Sequence, residues 1–257
     1  MNFFKGNPIT TLSAVLLFLY VSLAGAENSN NPGALINRIE GDVFRKYIKV
    51  DNWTKARAQT SISVQESIHT YTRSKAELII DNNKIIRLAP KTLINIISLL
   101  ESNDSAKEYT ELELEEGSVW ANIDELDNDA DFRITSDTAG TAVRGTVFSV
   151  SVDEQKNTEI KVYRGEVKVE KKSIDNTETE INQNKDVIFK KPEKIDKPYR
   201  VVSREEWTFI VSEMHRIIIR KDNNEKPEVT KFTSQDDKNS EMNKWIEWNL
   251  QMDSYKK

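Results

Sequence analysis

Apolar and polar residues alternate along much of the chain between residues 35 and 190. Residues 110–115 alternate glutamate with leucine, and residues 147–152 alternate serine with larger apolar side chains. A period of two is typical of strands that bury one face and leave the other in water. We therefore predict a mainly β-stranded domain over residues 35–190, in which the acids of residues 110–115 face solvent.

Two interruptions of this pattern predict hairpins. Asp-Asn-Asn at residues 81–83 separates two apolar runs, and both residue types tolerate the positive φ angles of tight turns. Gly165 lies between the alternating runs 159–163 and 167–170 and predicts a second hairpin.

Three glycines share a short pattern. Gly41, Gly117 and Gly165 are each followed two positions later by a valine, and each comes after a strand-like run. The spacing between the three is irregular, so the pattern fits either chance use of glycine at turns or a sheet that winds over itself in rungs. The sequence leaves both interpretations open.

The character of the chain changes after residue 190. Residues 190–198 hold two prolines among charges and predict a linker, after which the spacing becomes helical. A capping-box pattern at residues 203–206 and apolar residues at helical spacing up to Ile218 predict a first helix, and residues 240–255 predict a second. We therefore expect residues 191–257 to form a linker and a C-terminal helical tail.

Three of the five tryptophans lie in this tail, namely Trp207, Trp245 and Trp248. Two interpretations stay open. They dock the short helices onto the β-domain, which small helices need for stability, or they offer contacts to a partner, since tryptophan is favoured at interfaces.

The N-terminus has the three parts of a secretory signal peptide. Lys5 precedes an apolar run at residues 12–23, and Ala24-Gly25-Ala26 forms a small-residue cleavage site. We predict that residues 1–26 are a signal peptide and that the remaining chain is periplasmic. The alternative is an uncleaved membrane anchor, in which case the protein is tethered to the membrane.

Charge and cysteine content narrow the possible functions. The net charge is −5, and no basic patch interleaved with aromatic residues occurs, which argues against a nucleic-acid partner. The chain has no cysteine, so disulfides, thiol nucleophiles and cysteine-ligated metals are excluded.

Motifs for catalysis are missing from the sequence. Its two histidines, His69 and His215, have no acid or second histidine at metal-ligand spacing, and neither a serine-nucleophile elbow nor a phosphate-binding glycine loop occurs. The acidic run at residues 124–131 lacks the glycine and final glutamate of a calcium loop, so we interpret it as a solvated loop. We expect no catalytic residue, no cofactor and no metal, although the many carboxylates leave open an enzyme that acts on cell-wall glycan.

Residues 132–152 carry the most specific motif. Gly145 interrupts an otherwise continuous strand pattern, which predicts a bulge or a tight crossing of the backbone. The run Val143-Arg144-Gly145-Thr146, followed by Phe148, resembles the core motif V-R-G-T-x-F-x-V of the FecR domain family, and residues 74–83 and 158–169 are similar to further stretches of that family. The resemblance implies an all-β, twisted solenoid-like or sandwich-like fold in which these five residues form a structural core.

The resemblance also implies a role in the bacterial envelope. The best-known members of the family carry a signal across the periplasm to a cytoplasmic sigma factor through an anti-sigma segment that precedes a membrane helix. Only eight residues precede the apolar span from Ile9 to Ala26, so we do not expect that segment here. The leading hypothesis is an exported binding, scaffold or regulatory protein whose partner is an envelope protein or glycan; the alternatives are a tethered signal transducer and a glycan enzyme.

Overall fold

Seventeen strands and two short helices are present in the residues that the computed structural model describes, which are 34–80, 84–100, 109–124, 131–172, 208–222, 226–238 and 242–255. The mainly β-stranded prediction is confirmed. The strands are β1 (Ala34–Glu40), β2 (Val43–Tyr47), β3 (Thr54–Lys55), β4 (Thr60–Ile62), β5 (Glu66–Thr70), β6 (Lys75–Ile80), β7 (Lys84–Leu88), β8 (Thr92–Leu100), β9 (Tyr109–Ile123), β10 (Asp131–Thr135), β11 (Ala139–Val143), β12 (Val147–Val152), β13 (Thr158–Arg164), β14 (Glu166–Lys171), β15 (Thr208–Ser212), β16 (His215–Ile219) and β17 (Val229–Lys231); the helices are α1 (Ser234–Lys238) and α2 (Asn243–Ser254).

Strand β9 belongs to two sheets, which we call sheet A and sheet B. Its second half pairs with β7 and β12 in sheet A, where the order is β4-β1-β6-β7-β9-β12-β13-β16-β17. Its first half pairs with β8 and β10 in sheet B, where the order is β3-β2-β5-β8-β9-β10-β11-β14-β15. The contact of β9 with β10 is parallel, and the other pairings of the described strands are antiparallel.

The inner faces of the two sheets bury one shared core. Leu112 and Leu114 of β9 point inward from sheet B, and Val119 and Ala121 of the same strand point inward from sheet A. The glutamates between the leucines are partly exposed, as predicted. Alternation along each strand therefore supplies both the interior and the polar outer faces.

The chain passes repeatedly from one sheet to the other, and these crossings share a backbone conformation. Nine of the ten positive-φ residues in the described part of the chain lie at such crossings. They are Gly41, Gln59, Gln65, Arg73, Lys91, Gly117, Gly145, Gly165 and Met214. A positive φ turns the chain sharply enough to leave one sheet and enter the other, which explains why the same conformation recurs.

The glycine pattern of the sequence marks the tightest crossings. A Cβ on Gly117 would lie 2.4 Å from the hydroxyl oxygen of Thr92, and one on Gly41 would lie 2.6 Å from that of Ser74. The same two hydroxyls accept hydrogen bonds from the backbone N–H groups of Ser118 (3.0 Å) and Asp42 (2.8 Å). The glycine-x-valine pattern therefore marks places where the chain crosses from one sheet to the other. This agrees with the interpretation of a sheet that winds over itself.

Two predictions about local structure are wrong. Residues 208–219 form strands β15 and β16 in place of the first tail helix, because this stretch is rich in the β-branched residues that favour strands. Gly165 does not close a hairpin, since β13 lies in sheet A and β14 in sheet B. The second tail helix is present as α2, and the pairing of β6 with β7 confirms the hairpin across residues 81–83.

The predicted signal peptide at residues 1–26 and the predicted linker at 190–198 lie outside the described residues, and so does Trp207. Within the described parts of the chain, neither helix has the length and apolar character needed to cross a bilayer.

Candidate functional site

The predicted family-core residues lie at one of the crossings. Gly145 has a φ of 74° and ends the passage from β11 in sheet B to β12 in sheet A, which confirms the predicted crossing of the backbone. Val143, Thr146 and Phe148 are buried, and the Thr146 hydroxyl donates a hydrogen bond of 3.0 Å to the backbone oxygen of Glu166. Arg144 is exposed.

This crossing packs against the one at Gly165. A Cβ on Gly165 would lie 3.0 Å from the backbone oxygen of Gly145 and 3.3 Å from the hydroxyl of Thr146. Two strand-to-strand passages therefore touch here through glycine and threonine. Gly145 and Thr146 of the V-R-G-T motif therefore form the contact between these two crossings.

The outer face of sheet B carries a row of aromatic rings. The ring centroids of Phe44 and Tyr71 lie 5.1 Å apart, those of Tyr71 and His69 4.6 Å apart, and those of His69 and Trp53 5.7 Å apart. We call these four residues the aromatic row. Tyr71 is 45% exposed, so the row offers ring surface to solvent.

The aromatic row borders an open cleft at the end of the two sheets where β9 passes from one to the other. This end cleft has a volume of about 940 Å³ and is lined by His69, Tyr71, Lys91, Glu116, Asp153 and Asn157, among others. It combines ring faces with carboxylate, amide and ammonium groups. A few polar groups placed around ring or apolar surface are a common feature of ligand sites.

Several acids of the end cleft are held by neighbours. Asp153 accepts hydrogen bonds from the backbone N–H and the side-chain amide of Asn157 (2.8 and 2.9 Å). Glu159 lies 3.4 Å from Arg216, and Glu116 lies 3.6 Å from the Nε2 atom of His69. The arrangement supplies hydrogen-bond acceptors with fixed positions.

A second, smaller groove runs over β11 on the outer face of sheet B. Gly140 and Ala142 form its floor, and Tyr109 and Arg133 stand on one side of a volume of about 510 Å³. Burial and the hydrogen bond to Glu111 raise the pKa of Tyr109 to about 12. Burial alone would lower the pKa of Arg133, but its hydrogen bond to Asp131 raises the pKa above the ordinary value.

The C-terminal helix covers the outer face of sheet A. Arg87 is fully buried there and bonds through Nε to Glu77 and through Nη1 to Asp253 of α2, both at 2.7 Å. The indole N–H of Trp120, also fully buried, donates to the second oxygen of Asp253 at 2.9 Å. Lys161 makes a similar buried pair with Asp237 of α1 at 3.0 Å.

The structure places two of the three tail tryptophans in this interface. Trp245 is buried in a small cluster with Ala89, Trp120, Val147 and Ile246, and stacks on Trp248 at 5.3 Å. Trp248 is half-buried and lies near the cations of Lys75 and Arg87. Trp245 therefore packs the helix onto the β-strands, which agrees with the docking role predicted from the sequence. Contacts of these tryptophans with a partner stay a prediction.

Both histidines lie in strands, His69 in β5 and His215 in β16. The Nδ1 atom of His215 lies 2.8 Å from the backbone oxygen of Glu213, while His69 belongs to the aromatic row. Among the described residues, no group of three or more acids and histidines is placed to hold a metal ion.

The sequence does not predict that Phe44, Trp53 and Tyr71 lie together. Their grouping depends on the pairing of β2 with β5 and on the loop before β3. The buried ion pair of Arg87 with Glu77, in contrast, could be predicted from the sequence. Glu77 and Arg87 lie at equal distances from the turn at residues 81–83, so a hairpin register places opposite charges side by side.

Comparison with known proteins gives one family match. The family model described as "FecR protein" matches residues 66–168. This range contains the V-R-G-T motif, most of the end cleft and the central strand β9. No curated protein matches the sequence.

Two solved structures are similar in outline. They are crystal structures, at 1.65 and 2.50 Å resolution, of a protein from Parabacteroides distasonis titled "putative anti-sigma factor". Each shares 15% sequence identity with this chain at a TM-score of 0.43, over 66% of this chain. The matched region spans 61% of the length of those structures.

Proposed function

Because the chain contains a FecR domain at residues 66–168, we propose that it is an exported, non-enzymatic regulatory or scaffold protein of the bacterial envelope that works by binding a partner. The observation that carries the proposal is the end cleft with its aromatic row, which lies mostly inside this domain. Exposed rings beside fixed polar groups are typical of surfaces that hold another molecule.

The side chains of the end cleft favour binding over catalysis. Asp153 is engaged by Asn157, and Glu159 by Arg216, so these carboxylates already serve the local structure. A glycosidase needs two carboxyl groups with separate roles and pKa values pushed apart. The contacts of Asp153 and Glu159 give no such division of roles.

Site-specific crosslinking in the native cell tests the proposal. A photo-crosslinking amino acid at position 71 is expected to capture an envelope component, because Tyr71 lies at the mouth of the end cleft and is 45% exposed. The matched control is position 47, since Tyr47 is a tyrosine of similar exposure (55%) at the opposite end of β2, where it pairs with Glu66. Equal yields from both positions, or none from position 71, contradict the proposal.

The exported state has its own test. Cell fractionation with N-terminal sequencing is expected to find a soluble periplasmic form that begins at Glu27, after the Ala24-Gly25-Ala26 site. A full-length form in the membrane fraction supports the tethered signal transducer in its place, and a cytoplasmic form contradicts both.

A further inference from the structure

We propose that the end cleft binds an uncharged glycan, with a sugar ring stacked on Tyr71 and hydroxyl groups bonded to the polar residues of the cleft. This inference rests on the proposed binding function and names the ligand class for the same site. Tyr71 is the most exposed ring of the aromatic row, and it lies at the border between the row and the cleft.

The shape of the aromatic row fits a ring-shaped ligand. Its centroid spacings are 5.1, 4.6 and 5.7 Å. Lys46 lies over the ring of Trp53, and Tyr71, at 45% exposure, is the ring that presents surface to a ligand. A pyranose has one largely apolar face of C–H groups that packs against an aromatic ring. The π face carries partial negative charge, which attracts the polarised C–H groups.

The polar groups around the ring suit hydroxyls. Glu116 and Glu154 supply acceptors, and Lys91 supplies donors. Asp153 and Asn157 bond to each other, and the Asn157 amide oxygen accepts the N–H of Lys221 at 3.1 Å, so these two residues offer a ligand only their remaining lone pairs and N–H. A sugar hydroxyl both donates and accepts, so it can use acceptors and donors that lie side by side. An extended apolar peptide would remove the carboxylates and the ammonium from water without replacing the hydrogen bonds they lose, which costs free energy.

The charge balance of the cleft selects against anionic ligands. Its lining holds the four acids Glu116, Asp153, Glu154 and Glu159 but only the two lysines Lys91 and Lys156. Glu159 is paired with Arg216 at 3.4 Å, which leaves three acids against two lysines. An anionic glycan would therefore meet net repulsion, whereas an uncharged one would not.

The test is a binding titration with the full chain and soluble tetrasaccharides, followed by calorimetry or by NMR. The probes are the uncharged tetramers of N-acetylglucosamine and of glucose, and oligogalacturonate is the anionic contrast. We expect at least one uncharged tetramer to bind, Tyr71→Ala to weaken that binding tenfold or more, and Tyr47→Ala to leave it unchanged. Far-UV circular dichroism and the unfolding midpoint show whether each variant is folded.

The outcomes separate the glycan from the binding function itself. If no uncharged glycan binds but a protein is crosslinked from position 71, the glycan inference fails and the proposed function stands. If oligogalacturonate binds more tightly than both uncharged tetramers, the inference also fails. If neither a glycan nor a crosslinked component is found, both fail. Binding that survives Tyr71→Ala in a folded variant excludes this site.

Discussion

At the scale of the residue, Gly117 lies where β9 leaves sheet B and enters sheet A. Its φ is 86°, and an added Cβ would lie 2.4 Å from both the backbone oxygen of Lys91 and the hydroxyl of Thr92. We expect Gly117→Ala to lower the free energy of unfolding by more than about 2 kcal/mol, since it adds backbone strain to a steric clash. Urea denaturation measures the change.

The matched control for this substitution is Gly140→Ala. Gly140 lies within β11, where a Cβ would come no closer than 3.9 Å to Thr135. We expect a change of less than about 0.5 kcal/mol, or a slight gain from a less flexible unfolded chain. Equal losses in the two variants would contradict the role given to the crossing at Gly117.

Tyr109 makes the stability of the protein sensitive to alkaline pH. Burial and the hydrogen bond to Glu111 raise its pKa to about 12, against about 10 in an unfolded chain. Between these values the unfolded chain has lost a proton that the folded chain keeps, so stability falls as the pH rises through this window. We expect Tyr109→Phe to reduce the slope of this loss in urea denaturation at stepped pH, and Tyr47→Phe to leave it as it is.

What the sequence reveals at this scale depends on the residue type. Gly145 could be predicted as a crossing because glycine inside a strand pattern is a signal in itself. Gln59, Gln65, Arg73 and Lys91 adopt the same positive φ without any such signal. Their conformation follows from the pairing of strands distant in sequence, which no local pattern contains.

At the scale of the element, α2 is held to sheet A by buried polar contacts beside the apolar packing of Trp245 and Ile246. Arg87 joins Glu77 of β6 to Asp253 of α2, and Trp120 donates to the same aspartate. Removal of the carboxylate leaves a buried guanidinium with less compensation and a buried indole N–H without an acceptor. Each of these is costly in a site closed to water.

We therefore expect Asp253→Ala to release α2 from sheet A, at a cost to docking of about 2–4 kcal/mol. Hydrogen exchange of the α2 amides is expected to speed up, and the fluorescence of buried Trp245 is expected to shift towards that of exposed indole. Glu247→Ala is the control, since Glu247 lies on the exposed side of the same helix. Unchanged exchange in Asp253→Ala would show that apolar packing alone holds the helix.

The tail also shows where sequence patterns mislead. Val211, Met214 and Ile218 are spaced as on one helical face, but in the structure Val211 is buried in β15 and Met214 forms the crossing that precedes β16. Composition was the better guide, because the β-branched residues of this stretch favour strands. The predicted capping box at residues 203–206 lies outside the described residues. A capping box that the sequence did not predict is formed by Thr233 and Asp236 at the start of α1.

At the scale of the whole molecule, the two sheets have one strand in common and bury one core. Neither sheet can lose β9 without opening the other. We expect the described β-strands to unfold in a single step, so that tryptophan fluorescence and far-UV circular dichroism give superimposable denaturation curves. Two separated transitions would show that the sheets are independent units.

The fold class was accessible from sequence, but the candidate site was not. Alternation predicts strands and their inner faces, and the V-R-G-T motif resembles that of the family whose model matches residues 66–168. The aromatic row, in contrast, gathers Phe44 of β2, Trp53 of the loop between β2 and β3, and His69 of β5. Only the register between these strands brings the rings together, and a single sequence does not determine that register.

The recurring conformation at the crossings offers a route to a more robust protein. Gln65, Arg73 and Met214 hold positive φ angles while their side chains are exposed. Glycine adopts this conformation without strain, and the side chains that would be removed lie outside the core. Replacing these three with glycine is expected to raise Tm, because the relief of left-handed strain outweighs the entropy that glycine adds to the unfolded chain. Calorimetry can check the change, and the gain would serve efforts to crystallise the domain with a ligand.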